Sequence, residues 1–326
     1  MERVAVIGGG AWGTALASVI ARKGNPVLHW MRNADNAEDI NIRHENRHYL
    51  PGIKLSPLIH ATASPEDIKN CSVLFLVVPT QALRAVLQSL HPHFPTDPVL
   101  ILCSKGIERT TGLFPSEVAE EIVPHARIAV LSGPSFADDV VRGLPTAVTL
   151  ACRESSCSEY LARSFSDQTF RIYHGTDMQG VEIGGAAKNV YALGCGAIIG
   201  KGLGESAKAA LIARSFAELQ RFALSRGAKA ETLMGLSGLG DLLLTCNSPQ
   251  SRNFSAGLLI GKGRIEECKT GGKLAEGIFT APALIKTAEK EKLDMPIACN
   301  IAALLENQIS LDEVITTLLS RPVKPE

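Results

Sequence analysis

A single lysine, Lys188, interrupts a small-residue stretch at positions 181–200, where ten of the twenty residues are Gly, Ala or Cys. The pattern predicts a mostly buried helix. A buried ammonium group is costly unless it is paired or used, so Lys188 is a candidate acid–base group. Gly184 and Gly185 precede it by four and three residues and share its helix face. Either a neighbouring helix or a substrate could approach there, and we expect a substrate.

A second polar cluster follows the Gly-rich segment 235–241. Asp241 and Thr245 are four residues apart, which places them on one helix face. Ser251, Arg252 and Asn253 follow a proline at a predicted helix start, where amide groups and an arginine fork suit a phosphate. Two structural readings stay open: Asp241 as a helix N-cap and Arg252 as a surface ion pair.

Near the N-terminus, Gly8, Gly10 and Gly13 form a G-x-G-x-x-G turn between the strand pattern 3–7 and a helical pattern. Gly8 permits the tight turn, Gly10 lets a pyrophosphate approach the backbone, and Gly13 lets helix and strand pack closely. A second strand at 26–30 completes a βαβ unit. The arrangement predicts a dinucleotide site; the alternative is a turn that has lost its ligand.

The second strand ends at Trp30, Met31, Arg32 and Asn33. A site restricted to NAD usually has Asp or Glu at this position, to hold the ribose 2′-hydroxyl. Arg32 instead suits a 2′-phosphate or stacks on adenine. We therefore expect NADP or NAD as cofactor, with NADPH accepted or preferred over NADH.

Loops that follow buried parallel strands are the expected ligand positions in such a sheet. Lys105 follows the strand at 99–103, where its ammonium could meet a phosphate or carbonyl oxygen. Gly133 and Ser135 follow the strand at 127–131. The alternatives are a solvated loop lysine and an ordinary turn.

The order of predicted elements gives the fold class. Strands and helices alternate up to about residue 178, and helices alone follow. We predict an α/β chain: residues 1–178 form a Rossmann-type, doubly wound, mostly parallel sheet, and residues 179–326 form an all-α substrate-binding domain. An apolar helical half makes a homodimer plausible.

Composition excludes several classes of function. The 33 Lys and Arg balance 33 Asp and Glu, so nothing indicates nucleic-acid binding. The longest uncharged part of 181–200 is too short and Gly-rich to predict membrane insertion. Eight cysteines without a CxxC pair, and no signal-peptide pattern, favour reduced thiols in a cytoplasmic protein.

One motif is misleading. His44, Glu45 and His48 match H-E-x-x-H, the pattern of zinc proteases. The segment is polar on all sides, ends at Pro51-Gly52 and lies in a βαβ connection, so it lacks the apolar helix that the zinc site needs. We predict no metal.

Taken together, the stretches GGGAWGTALA, YLPG, CSKGIE, LSGPSFA, EIGGAAKNVYALGCGAIIGKGLG, GLSGLGDLLLTC, SRN and KLAEG resemble the bacterial NAD(P)-dependent glycerol-3-phosphate dehydrogenases over nearly the full length. The resemblance implies reversible reduction of dihydroxyacetone phosphate to sn-glycerol 3-phosphate, feeding phospholipid synthesis. Other two-domain dehydrogenases share the Gly-rich turn but not the pairing of GGAAKN with GLGDLLLTC and SRN.

The same resemblance implies roles for individual residues. Lys188 would exchange the proton of the C2 hydroxyl, with Lys105 and Asp241 beside it in the catalytic group. The implied substrate contacts are Lys105, Gly133, Ser135, Lys188, Asp241, Ser251, Arg252 and Asn253. The implied cofactor contacts are Gly8, Gly10, Ala11, Trp12, Gly13, Arg32, Lys105, Ala137, Arg252, Leu274 and Glu276. Ala11 stands where the family often has serine, so any contact there must come from the backbone.

Burial and Lys105 should favour the neutral amine of Lys188, whereas Asp241 should favour the ammonium ion. Two other functions stay open: a two-domain dehydrogenase with another substrate, and a non-catalytic dinucleotide sensor that kept the fold.

Overall fold

The computed structural model describes residues 3–270 and 275–320. It divides into two compact units. The first comprises Met1–Lys105 and Leu113–Glu182, and the second comprises Gly106–Gly112 and Ile183–Glu326. The predicted boundary after residue 178 therefore falls in the helix that leads from one unit into the other. The membership of Gly106–Gly112 in the second unit was not predicted.

The first unit is built on an eight-stranded sheet. Its strands are β1 Val4–Ile7, β2 Val27–Trp30, β3 Ile59–Thr62, β4 Val73–Leu76, β5 Val99–Leu102, β6 Arg127–Ser132, β7 Thr146–Cys152 and β8 Phe170–Gly175. Their spatial order is β3-β2-β1-β4-β5-β6-β7-β8. Only the pairing of β6 with β7 is antiparallel among these strands, so the predicted mostly parallel, Rossmann-type sheet is confirmed.

Helices cover both faces of this sheet, which is why its central strands are apolar throughout. They are α1 Ala11–Arg22, α2 Ala34–Arg43, α3 Thr80–Leu90, α4 Pro115–Ile122, α5 Ala137–Val141 and α6 Ser155–Phe165. Val4 and Val6 point into one buried cluster, and Ala5 and Ile7 into the other. Because successive side chains of a strand point to opposite faces of the sheet, this one short strand contributes residues to two hydrophobic cores.

The second unit is helical in its described part. After α7, Met178–Lys201, it contains α8 Gly204–Ser225, α9 Ala230–Met234, α10 Asp241–Asn247, α11 Arg252–Gly261, α12 Ile265–Thr270, α13 Glu276–Lys290, α14 Pro296–Leu305 and α15 Leu311–Leu319. A π-helical turn, Leu236–Gly240, leads directly into α10. The predicted all-α second half is confirmed.

Glycines bring α7 and α11 into backbone contact. A Cβ on Gly196 would lie 2.1 Å from the carbonyl oxygen of Phe254, and a Cβ on Gly200 would lie 2.4 Å from that of Leu258. Gly257 and Gly261 face α7 in the same way. Both pairs have the four-residue spacing that places small residues on one helix face. This packing fixes the start of α11 relative to Lys188.

The buried carboxylate of Glu218 on α8 ties down another helix of this unit. Its oxygens accept the amide hydrogens of Ile297 and Ala298, at 2.9 and 2.8 Å, where α14 begins. These amides are among those that a helix leaves without an internal acceptor. Burial nevertheless raises the pKa of Glu218.

Within the described residues, no helix combines the length and the apolar character that crossing a membrane requires.

Candidate active site

The Gly-rich turn has the predicted geometry. Gly8 has a φ of +129°, a backbone conformation that side chains disfavour. A Cβ on Gly13 would lie 1.9 Å from the carbonyl oxygen of Gly8, so any side chain there would separate α1 from β1. A Cβ on Gly10, in contrast, meets nothing within 4 Å and would project into open space. The space above Gly10, next to the N-terminus of α1, therefore fits a pyrophosphate.

Arg32 lies in the turn between β2 and α2, and its side chain is exposed. The next residue, Asn33, caps α2 by accepting the amide hydrogen of Asn36 at 2.8 Å. The cap fixes the backbone that carries Arg32. An exposed guanidinium in this position can pair with an additional phosphate group.

The loops after β5 and β6 meet in the first unit. Lys105 donates to the carbonyl oxygen of Gly133 at 3.0 Å, and Ser135 donates to the same oxygen at 3.1 Å. Gly133 has a φ of +146°, and a Cβ on it would lie 2.9 Å from the Cα of Val148. The structure thus brings together Lys105 from one loop with Gly133 and Ser135 from another, all three selected by sequence reasoning. The half-buried ammonium group of Lys105 is held by a backbone oxygen rather than by solvent alone.

Lys188 on α7 is buried, at 7% exposure. Its Nζ donates to Asp241 Oδ1 at 2.6 Å and to Thr245 Oγ1 at 2.7 Å. Thr245 in turn donates to Asp241 Oδ1 at 3.2 Å. The i, i+4 relationship on α10 that the sequence predicted is therefore what places both oxygens on one ammonium group. Asp241 compensates the buried charge. It is the first residue of α10 and follows the N-cap residue Gly240, so the alternative of Asp241 as the helix N-cap is wrong.

Next to Lys188, a chain of amide hydrogen bonds joins three helices. Asn253 on α11 donates to Asn189 Oδ1 at 2.8 Å and accepts the amide hydrogen of Gly277 on α13 at 2.9 Å. Ser251 caps α11 by accepting the amide hydrogen of Phe254 at 3.2 Å. Arg252 is the first residue of α11, and its side chain is exposed. A positive side chain thus lies at a capped helix N-terminus, as a phosphate site requires.

One structural expectation is wrong. Gly184 does not keep a path open for a substrate, because a Cβ on it would lie 2.5 Å from the carbonyl oxygen of Ser237 and 3.1 Å from the Cα of Gly238. The absence of a side chain at Gly184 lets the π-helical turn that precedes Asp241 pack closely against α7. The neighbour of this glycine is therefore protein backbone.

The remaining predicted cofactor residues are scattered along the chain. Ala11 and Trp12 occupy the first turn of α1, Ala137 begins α5 and Glu276 begins α13. Leu274 lies outside the described residues. The H-E-x-x-H match is not helical, since α2 ends at Arg43 and His44 adopts a left-handed conformation with a φ of 51°. Among the described residues, no group of three or more His, Cys, Asp or Glu side chains could hold a metal ion.

Two long stretches of the chain match the N-terminal and C-terminal models of one known protein family. Residues 3–158 match the NAD-dependent glycerol-3-phosphate dehydrogenase N-terminus, and residues 177–316 match the NAD-dependent glycerol-3-phosphate dehydrogenase C-terminus. The chain belongs to the NAD-dependent glycerol-3-phosphate dehydrogenase family.

Members of this family resemble the chain over its whole length. A glycerol-3-phosphate dehydrogenase [NAD(P)+] of Methylobacterium radiotolerans is 52% identical, covering 98% of this chain and 97% of its own. A glycerol-3-phosphate dehydrogenase [NAD(P)+] of Rhodopseudomonas palustris is 48% identical, and the match covers 100% of this chain and 99% of the relative. The crystal structure of glycerol-3-phosphate dehydrogenase from Coxiella burnetii is similar with a TM-score of 0.93 at 34% identity, covering 98% of this chain and 99% of that one.

Sequence reasoning missed Asn189 as a site residue. It is buried at 6% exposure, next to Lys188 in sequence, and holds Asn253. The signal was present: a buried amide side chain adjacent to a buried lysine needs hydrogen-bond partners of its own. Its partner, however, is 64 residues away, and only the packing of α7 against α11 identifies it.

Proposed function

We propose that the chain catalyses the reversible, NAD(P)H-dependent reduction of dihydroxyacetone phosphate to sn-glycerol 3-phosphate. The observation that carries this proposal is the buried ammonium group of Lys188, held by Asp241 and Thr245 on α10. Such a group can exchange one proton with a carbonyl or hydroxyl oxygen. The names of the full-length relatives, glycerol-3-phosphate dehydrogenase [NAD(P)+], support glycerol 3-phosphate as one of the two substrates.

We assign Lys188 as the acid–base residue. When bound, the nicotinamide supplies or accepts a hydride at C2 of the substrate. In the reductive direction negative charge develops on the C2 oxygen, and the Lys188 ammonium stabilises it and then donates its proton there. In the oxidative direction the neutral amine accepts the hydroxyl proton. Burial favours the amine, whereas Asp241 favours the ammonium ion.

We assign Asp241 and Thr245 to the positioning of Lys188. Their oxygens lie 2.6 and 2.7 Å from its Nζ and fix the end of a side chain that is otherwise flexible. Asp241 is only 1% exposed, so it can hardly exchange this partner for water. A fixed amine orients its lone pair or proton toward the substrate, which is a large part of acid–base efficiency.

We assign the start of α11 to the substrate phosphate. Arg252 supplies a guanidinium fork and the first-turn amides supply further donors. The substrate contacts proposed from the family resemblance also include Lys105, Gly133, Ser135, Ser251 and Asn253. Asn189 joins this set because it fixes the amide of Asn253 at 2.8 Å.

We assign the Gly-rich turn to the dinucleotide pyrophosphate. Gly8, Gly10 and Gly13 shape the backbone there, and Ala11 and Trp12 begin the helix that faces it. Arg32 is the proposed partner of a 2′-phosphate, so NADPH should be accepted. Lys105, Ala137, Arg252, Leu274 and Glu276 complete the proposed cofactor contacts.

We further propose that the product enters glycerophospholipid synthesis and that the protein acts as a cytoplasmic homodimer. All eight cysteines are free, which supports a reducing environment. Sedimentation measures the oligomeric state.

The decisive experiment is a spectrophotometric assay that follows NADPH oxidation with dihydroxyacetone phosphate. Turnover with this substrate, and none with 2-keto acids, hydroxyacyl thioesters or 6-phosphogluconate, supports the proposal. Turnover with one of the others identifies a different dehydrogenase. Dinucleotide binding without turnover on any of them identifies a sensor.

A further inference from the structure

Three consecutive carbonyl oxygens of the Gly-rich turn each accept a hydrogen bond from a side chain. His29 Nε2 lies 3.0 Å from the oxygen of Gly8, Asn46 Nδ2 lies 3.0 Å from that of Gly9, and Thr14 Oγ1 lies 3.0 Å from that of Gly10. Asn46 also donates to Thr14 Oγ1 at 2.8 Å. These three side chains form a network around the turn, in which Asn46 and Thr14 are bonded to each other and His29 binds the carbonyl of Gly8 separately.

The direction of these bonds also determines where the amide hydrogens of the turn point. Each of these peptide bonds is trans, so the carbonyl of one residue and the amide hydrogen of the next point in opposite directions. Fixing the carbonyls of Gly8, Gly9 and Gly10 therefore fixes the amide hydrogens of Gly9, Gly10 and Ala11. These are backbone donors of the kind that bind a pyrophosphate at a helix N-terminus.

Two of these side chains, His29 and Asn46, are buried. No sequence motif links the segments that carry them to the Gly-rich turn. His29 lies in β2 and is fully buried, and Asn46 lies beyond α2 and is 4% exposed. Because a carbonyl can only accept, His29 carries its hydrogen on Nε2. Burial lowers the pKa of His29 to about 4, so the ring stays neutral and keeps this tautomer at physiological pH. Asn46 belongs to the segment that resembles a zinc motif.

We propose that His29 and Asn46 are positioning residues for the dinucleotide: they orient the turn amides toward its pyrophosphate without touching it. The proposal rests on the assignment of the turn to the cofactor and is independent of which substrate is reduced. Losing one of these donors leaves a peptide free to rotate and a buried carbonyl without its partner. Affinity for pyrophosphate-containing ligands should then fall, while the substrate site is unaffected.

The test compares ligands with and without a pyrophosphate in the variants His29→Leu and Asn46→Leu. We expect Kd for ADP-ribose, measured by calorimetry, and KM for NADPH to rise roughly tenfold in each, the scale of one lost hydrogen bond to a buried group. Kd for adenosine 2′-monophosphate, KM for the carbonyl substrate and kcat at saturating NADPH should stay near the wild-type values. His29→Gln, which retains a donor, should recover most of the affinity.

Asn41→Leu is the matched control. Asn41 makes a similar pair of bonds to the backbone of Ala61, at 2.8 Å each, in the same unit but away from the turn. It should lower Tm without changing Kd for ADP-ribose. If a leucine variant fails to fold, Thr14→Val removes the bond to the carbonyl of Gly10 and the bond from Asn46, with little change in shape.

The outcomes separate two failures. Unchanged ADP-ribose affinity in the variants, or equal weakening of both ligands, overturns the positioning role alone. A wild-type protein that binds neither ADP-ribose nor NADPH overturns the cofactor assignment on which the role depends, and with it the role.

Discussion

Lys188 Nζ and Asp241 Oδ1 lie 2.6 Å apart in the interior of the helical unit, on residues 53 positions apart in the chain. A buried charge is tolerable when an opposite charge and further hydrogen bonds accompany it, and Thr245 supplies the additional bond. The pair keeps a reactive amine in one position. Because both groups are buried, removing either one alone leaves the other charge buried without its partner.

Replacing Lys188 with alanine should lower kcat by roughly 10²-fold or more, the usual scale for general acid–base catalysis. It should also destabilise the protein by about 3–5 kcal/mol, because Asp241 is left unpaired. In the double variant Lys188→Ala/Asp241→Ala we expect stability to recover but activity to remain lost. Urea unfolding and steady-state kinetics measure the two effects separately. Near-wild-type turnover in either variant contradicts the catalytic role.

Lys208 provides a control for this prediction. It is also buried, at 8% exposure, and pairs with Glu205 at 2.6 Å in the same unit. Its partner is exposed and can return to water. Lys208→Ala should therefore cost less stability and leave kcat within a few-fold of the wild-type value.

The buried carboxyl group of Glu182 should make stability depend on pH. It accepts the amide and hydroxyl hydrogens of Ser116, at 2.7 and 2.6 Å, and burial raises its pKa to about 7 despite these bonds. Nearby Glu117 and Glu120 add to the increase. The folded state thus retains a proton that the unfolded state loses near its ordinary value of 4.5. The resulting stabilisation is complete below the unfolded pKa and is lost as pH rises through about 7.

Tm should therefore decrease between about pH 5 and pH 8. The corresponding decrease in the free energy of unfolding should be at most roughly 3 kcal/mol. Glu182→Gln, which cannot ionise, should flatten this decrease. Glu121→Gln is the control, since Glu121 is 51% exposed and pairs only at the surface with Arg84. The same pH slope in wild type and Glu182→Gln means that another group is responsible.

A methyl group on Gly184 should destabilise the helical unit. It would lie 2.5 Å from the carbonyl oxygen of Ser237 and push the π-helical turn, and Asp241 after it, away from Lys188. Overpacking of this kind costs about 1–3 kcal/mol. Gly175→Ala is the control, because a Cβ there meets nothing within 4 Å. Equal Tm values for the two variants would show that the close approach is not needed.

Replacing Arg32 with alanine should shift the cofactor preference. We expect the ratio of kcat/KM for NADPH to that for NADH to fall roughly 10- to 100-fold, the value of a charge-assisted hydrogen bond to phosphate. Arg43→Ala, an exposed arginine of α2 paired with Asp39, serves as control and should leave the ratio unchanged. An unchanged ratio in Arg32→Ala removes this residue from cofactor selection.

Local patterns in the sequence were sufficient for the elements and several of the contacts between near neighbours in sequence. Alternation with period 2 and runs of apolar residues identified most strands, and the spacing of Gly8, Gly10 and Gly13 identified the turn. Asp241 and Thr245 share a helix face because they are four residues apart. Strand β3, with its polar His60, was missed because its four residues form no apolar run.

Only the tertiary structure decided which distant groups meet. Small residues around Lys188 indicate close packing but not its partner, and for Gly184 that partner is the backbone at Ser237. The bonds of His29 and Asn46 to the turn join residues 21 and 37 positions apart, and the bond of Asn189 to Asn253 joins residues 64 apart. A sequence constrains backbone conformation through local sterics and periodicity, whereas such contacts depend on how whole helices and strands pack.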